Sequence, residues 1–171
     1  MEQKPISPLL KGVIISLLLI TVSLVAYFTG QDTASWNRWL CNLLLLGGII
    51  WSCISYGKQL NNNVTFGNVF AHGFKVSSIV TLISILFTLI FFLVFPEIKE
   101  KALDLARIEM EKSGNMSDEQ IEQGIGLTRK FFYVFTIGVL IFAYMIVGTI
   151  ASLIGAAVTK KQPRPPFENQ L

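Results

Sequence analysis

The side chains that could do chemistry are few. The chain holds one histidine, His72, next to Gly73. A lone imidazole can sense pH or supply one ligand to a metal, but a zinc or redox centre needs further His or Cys at close spacing. The two cysteines, Cys41 and Cys53, lie twelve residues apart in one apolar run. On a helix that is about 18 Å, beyond disulfide reach, so we read them as two buried apolar thiols. His72 reads as a residue of the membrane interface. Glu100 with Asp104, and Glu119 with Glu122, share helix faces and could hold a cation weakly; a solvated, ion-paired surface is the simpler reading. Hydroxyls such as Ser16, Ser52, Ser77, Thr81 and Ser152 lie inside apolar runs. There they bond to their own helix or a neighbour. Metalloprotease, phosphate-loop and nucleophile-elbow patterns are missing from the sequence. We expect no catalytic, cofactor-binding or metal-binding residues, no cofactor and no nucleic-acid partner, and hence no enzyme.

One spacing does specify something physical. Gly148, Ser152 and Ala156 recur every four residues, flanked by Ala151 and Gly155. Stripes of small residues let two membrane helices approach closely. Gly47 and Gly48 offer a matching groove. The stripe packs within one copy or joins copies into a homo-oligomer, two alternatives that the spacing leaves open.

The elements that must carry these residues follow from charge. The chain has 171 residues, 52% hydrophobic and only 15% charged, where a soluble domain carries about 25% charged residues. Four stretches lack Asp, Glu, Lys and Arg: residues 12–31, 39–57, 76–95 and 131–159. Together they make about half of the chain. A helix of about 20 residues crosses the roughly 30 Å core of a bilayer, so each stretch is a candidate span. This excludes a soluble globular domain, a disordered chain and a disulfide scaffold. Lys4 and Lys11 give the first stretch a basic start, but no A-x-A site follows, so it reads as a retained span and not a signal peptide. No ionisable residue interrupts any stretch, which argues against a charged substrate path.

Between the spans, the pattern predicts short turns and one larger element. Pro5 and Pro8 keep the start non-helical. Trp36 and Trp39 fall where an aromatic belt forms, and Phe66, Phe70 and Phe74 share one helical face leading into the third span; these five are candidate interfacial anchors. Asn61, Asn62 and Asn63 suit a tight turn, with Thr65 as N-cap of the helix that follows. Residues 97–130 hold 14 of the 25 charged residues. Its first arm is amphipathic, with Ile98, Ala102, Leu105, Ala106 and Met110 on one side. Glu97 with Lys101, and Arg107 with Glu111, are expected as pairs along it. Ser117 and Gln120 form a capping box that opens a second arm, expected to flow directly into the fourth span. Residues 160–171 form a basic tail. The whole chain, 1–171, reads as a single all-α integral membrane domain of four transmembrane helices, with an extramembrane helical hairpin between helices 3 and 4.

Lys and Arg divide seven and seven between the two sides, but net side-chain charge is +5 on the side of the tails and −2 on the side of the hairpin. The positive-inside rule then puts both termini in the cytoplasm and the hairpin outside.

Thr65-Phe66-Gly67-Asn68-Val69-Phe70 with Gly73-Phe74-Lys75, the Ser117–Gln123 arm, Thr128-Arg129-Lys130-Phe131 and the run from Gly148 to Lys161 resemble a family of four-span inner-membrane proteins from Bacteroidota, domain of unknown function 4199. The likeness is firmest from Thr65 to Lys161. Phe95-Pro96 stands where that family often has Asp-Pro. The resemblance implies the architecture and a bacterial inner membrane, and it implies no activity. Asp32-Thr33-Ala34 is similar to the short O-glycosylation acceptor of that group of bacteria. The function expected is a small structural or accessory subunit acting by helix packing and through its hairpin. The alternative is a transporter or channel component working as an oligomer. The partners expected are the lipid bilayer and either a second copy or another membrane protein.

Overall fold

In a computed structural model, residues 6–31, 34–115 and 117–162 are described, and all elements among them are helices. They are α1 (Pro8–Phe28), α2 (Ser35–Gln59), α3 (Phe66–Val94), α4 (Glu97–Ser113), α5 (Asp118–Lys130) and α6 (Phe132–Val158). Helices α1, α2, α3 and α6 are long and apolar enough to cross a membrane. Their outward side chains fit lipid: Leu17 and Leu18 on α1, Leu82 and Leu86 on α3, Val139 and Phe142 on α6 are all exposed. Asp32, Thr33 and Pro163–Leu171 lie outside the described residues, and so do the acceptor motif and most of the basic tail.

The first helix starts earlier than expected. Ser7 is its N-cap, accepting from Leu10 N–H, and Pro8 occupies the first turn. Proline is harmless there because that N–H has no intrahelical partner. Lys11 is therefore a residue of the helix and not of a tail. Helix α3 does run without a break from Phe66, with Asn68 N–H bonded to Thr65 Oγ1 at 3.2 Å. Asn61 and Asn62, at φ of 50° and 61°, make the left-handed turn before it.

By packing, the chain divides into two compact units, Met1–Ile83 with Ala143–Leu171, and Ser84–Phe142. The core of the first is Ile15, Leu19, Leu45, Ile49, Cys53, Val69, Val76, Val80, Ala151 and Ala156. One end of this unit gathers the start of α1, the end of α2, the start of α3 and the end of α6. Ile6 N–H bonds Gln59 Oε1 at 2.9 Å, and Gln162 N–H bonds Asn62 O at 2.9 Å.

The second unit contains the helical hairpin. Ser117 and Gln120 close the capping box, and Gly114 at φ 64° ends α4. Leu103, Ile121 and Ile125 are its buried side chains, and Leu105, expected inside, is 43% exposed. Leu103 and Leu105 lie about 200° apart around the helix, and the inward face centres on Leu103 with Ala106 and Met110. Arg107 pairs with Glu122 across the hairpin instead of with Glu111 along its own helix, and Arg129 pairs with Glu100 at 2.8 Å. Helix α5 does not flow directly into α6: a turn at Phe131 separates them. Lys99 Nζ lies 5.6 Å above the Phe132 ring and 5.4 Å above Tyr133.

Candidate functional site

The small residues of α6 are buried against α2 and α3 of the same copy. A Cβ on Gly148 would lie 2.7 Å from Ser77 Cβ, and one on Gly155 would lie 2.7 Å from Cys53 Cβ. Ser152 is opposite Gly73, and Ala156 is fully buried. Gly47 and Gly48 are not the groove that receives them. Gly48 meets Ile15 of α1, a Cβ on Gly47 would meet nothing within 4 Å, and both glycines line an apolar cleft of about 420 Å³ with Ile14, Leu18 and Trp51. The physical reason is that α2 turns its Cys53 side to α6 and its glycine side to α1.

The anchors divide between two places. Trp36 and Trp39 are 49% and 70% exposed, and Trp36 Nε1 donates to Gln31 Oε1 at 2.7 Å. Phe66 lies under Lys161 Nζ at 5.5 Å, and Phe70 and Phe74 stack at 6.1 Å.

Polar chemistry concentrates where the sequence pattern did not point. Lys11 is fully buried, and its Nζ donates to Ser52 O at 3.2 Å. Ser52 Oγ and His72 Nε2 share a hydrogen bond of 3.0 Å, and the imidazole stacks on Tyr56 at 4.2 Å. Residues 12–31 remain free of charge, and the ionisable side chain that enters α1 is Lys11 in its first turn, a residue expected in the tail. A buried charge is costly unless it is paired or hydrogen-bonded, and here the Ser52 carbonyl is its acceptor. The signal that could have found it was Ser7-Pro8, an N-cap followed by a first-turn proline, which starts the helix one turn before Lys11.

His72 also lines a cavity of about 300 Å³ with Ile6, Pro8, Tyr56, Asn68 and Lys75. Asn68, His72 and Lys75 are placed on one face by the helical repeat of α3. A second, mainly apolar cavity of about 510 Å³ continues along α1 and α3, lined by Leu9, Phe74, Ser78 and Ile79. The two share Pro8 and Lys75. The chemistry available is cationic and hydrogen-bonding at one end and apolar beyond it. Cys53 is buried with its Sγ 3.7 Å from Val69 O, Cys41 is half-buried, and both thiols are free. Among the described residues no group of three or more His, Cys, Asp and Glu gathers to hold a metal.

Most other hydroxyls bond to their own helix, as Ser16 Oγ does to Gly12 O at 2.8 Å and Ser152 Oγ to Gly148 O at 2.6 Å. Ser77 reaches across to Tyr144 O at 3.5 Å.

No curated protein and no solved structure matches the chain. A family model does, over residues 11–161, a stretch that runs from the buried Lys11 through all four apolar helices to Lys161. The chain belongs to the family described as Protein of unknown function (DUF4199).

Proposed function

We propose that this multi-pass membrane protein is a non-enzymatic accessory subunit of a bacterial inner membrane, with both termini in the cytoplasm, acting by contact through its α4–α5 hairpin. The observation that carries the reading is the hairpin's surface. Two cross-helix ion pairs brace it, Arg107 with Glu122 and Arg129 with Glu100, while Leu105, Ile108 and Leu127 stay 43%, 42% and 58% exposed among the charges. A braced arm with apolar side chains outward suits a protein partner. The α6 stripe, by contrast, is occupied within one copy. The test is affinity purification of the full chain in mild detergent, followed by mass spectrometry. A partner that co-purifies with the wild type and is lost with the Leu105→Glu, Ile108→Glu variant supports the reading. An unchanged set of co-purifying proteins overturns it.

A second reading, a transporter component, draws on Lys11, since a buried ammonium in an apolar helix is the usual mark of a substrate path. Anion flux into proteoliposomes that is lost in Lys11→Met would favour it over the first.

A further inference from the structure

The two cavities at the α1–α3 end of the first unit adjoin, and their linings differ in kind. We propose that together they hold one anionic phospholipid, with its phosphate among Lys75, His72 and Asn68 and an acyl chain in the groove between α1 and α3 that leads to Ile79. This site is independent of the hairpin and of the accessory role assigned to it.

Charge carries the argument first. The described residues of this unit contain six Lys and Arg and no Asp or Glu. An anion bound at this end would complement that charge. Lys11 Nζ donates to Ser52 O, and Ser52 Oγ in turn engages His72 Nε2. The imidazole is 4% exposed yet lines the cavity beside Asn68 and Lys75. Lys75 is exposed at the junction of the two cavities, able to reach a phosphate as a point charge. Ile6 and Pro8 bring the start of α1, the positive end of its dipole, to the same place.

Shape then chooses between sources of phosphate. A free phosphate ion would fill the polar cavity and leave the apolar one vacant. Leu9, Phe74 and Ile79 continue the site from the first turn of α1 along two helices apolar enough to cross a bilayer, a path that suits an acyl chain attached to the phosphate.

The full chain, purified in an uncharged detergent, would be titrated with dioleoylphosphatidylglycerol, with dioleoylphosphatidylcholine and with inorganic phosphate, and bound adducts read by native mass spectrometry. We expect phosphatidylglycerol to be retained over phosphatidylcholine, and Lys75→Gln to weaken its binding about fivefold, the effect of one basic side chain near an anionic headgroup. Ser78→Trp, which fills the apolar groove from an exposed position, should weaken it independently of charge. Lys58→Gln, exposed at the same end but outside both cavities, should leave it unchanged. Equal retention of the two lipids overturns the site. So does an equal loss in Lys58→Gln, unaltered binding in both Lys75→Gln and Ser78→Trp, or displacement of phosphatidylglycerol by inorganic phosphate.

Discussion

Gly148 of α6 faces Ser77 of α3 with no space between them: a Cβ added to the glycine would sit 2.7 Å from the serine Cβ. Both residues are buried, and Ile49 of α2 is the next neighbour at 3.9 Å. The relationship makes side-chain volume at this crossing a shared quantity, since what one helix adds the other must give up.

Gly148→Ala should therefore destabilise the protein by about 1–3 kcal/mol, the usual cost of overpacking. Ser77→Gly in the same chain should recover much of that loss, because it removes the atoms that the new methyl meets. Gly47→Ala, with open space around it, should be neutral or slightly stabilising through helix propensity. Thermal unfolding in detergent of the three variants and the double variant checks all of these. Additive losses in the double variant would contradict the shared contact.

Lys11 offers a second measurement. Its ammonium is buried with a backbone carbonyl, Ser52 O, as acceptor. An apolar side chain of similar length avoids the desolvation of that charge, so Lys11→Met should fold with unchanged or raised thermal stability. Lys11→Glu brings a carboxylate to face the same carbonyl and should lose several kcal/mol or fail to accumulate. A Met variant as unstable as the Glu variant would show that the ammonium itself holds the helix ends together.

At the hairpin, Ser117→Ala removes the acceptor of the Gln120 N–H. We expect a loss of about 1 kcal/mol, confined to α5. Hydrogen exchange at the first turn of α5 should accelerate, while exchange within α1 and α2 stays as in the wild type. Uniform acceleration throughout the chain would contradict a local cap.

The ion pair between Arg129 and Glu100 is exposed on both sides, at 59% and 56%. Arg129→Glu should cost less than about 1 kcal/mol, and the swapped pair Glu100→Arg with Arg129→Glu should restore it. The difference should shrink in high salt. A thermal melt at low and high ionic strength reads both effects.

Much of the architecture could be read from the chain in order. The absence of charge over residues 12–31, 39–57 and 131–159 places helices α1, α2 and α6 to within a few residues, and residues 76–95 place the apolar part of α3, which starts ten residues earlier at Phe66. The capping box at Ser117 and the Asn61-Asn62 turn were equally legible, since each depends on residues a few positions apart. Element ends were less so. Pro8 suggests a non-helical start by sequence but occupies the first turn of α1, which brings Lys11 into the helix. Leu105 belongs to the apolar side of α4 by sequence yet is exposed, and Leu103 is the buried leucine, because a single wheel does not say where the facing helix lies.

The sequence by itself determined that the chain is a four-span membrane protein with one charged helical pair, for those properties follow from local composition and periodicity. Only the tertiary structure decided which side chains meet. Lys11 and Ser52 are 41 positions apart, Ser52 and His72 are 20 apart, and Ser77 and Tyr144 are 67 apart. Apolar helices have many similar faces, and the choice among them rests on fit at a few points, such as a glycine that leaves room for a serine or a thiol. No local pattern encodes that fit, so the buried lysine, its histidine neighbour and the paired cavities became visible only once the helices were packed.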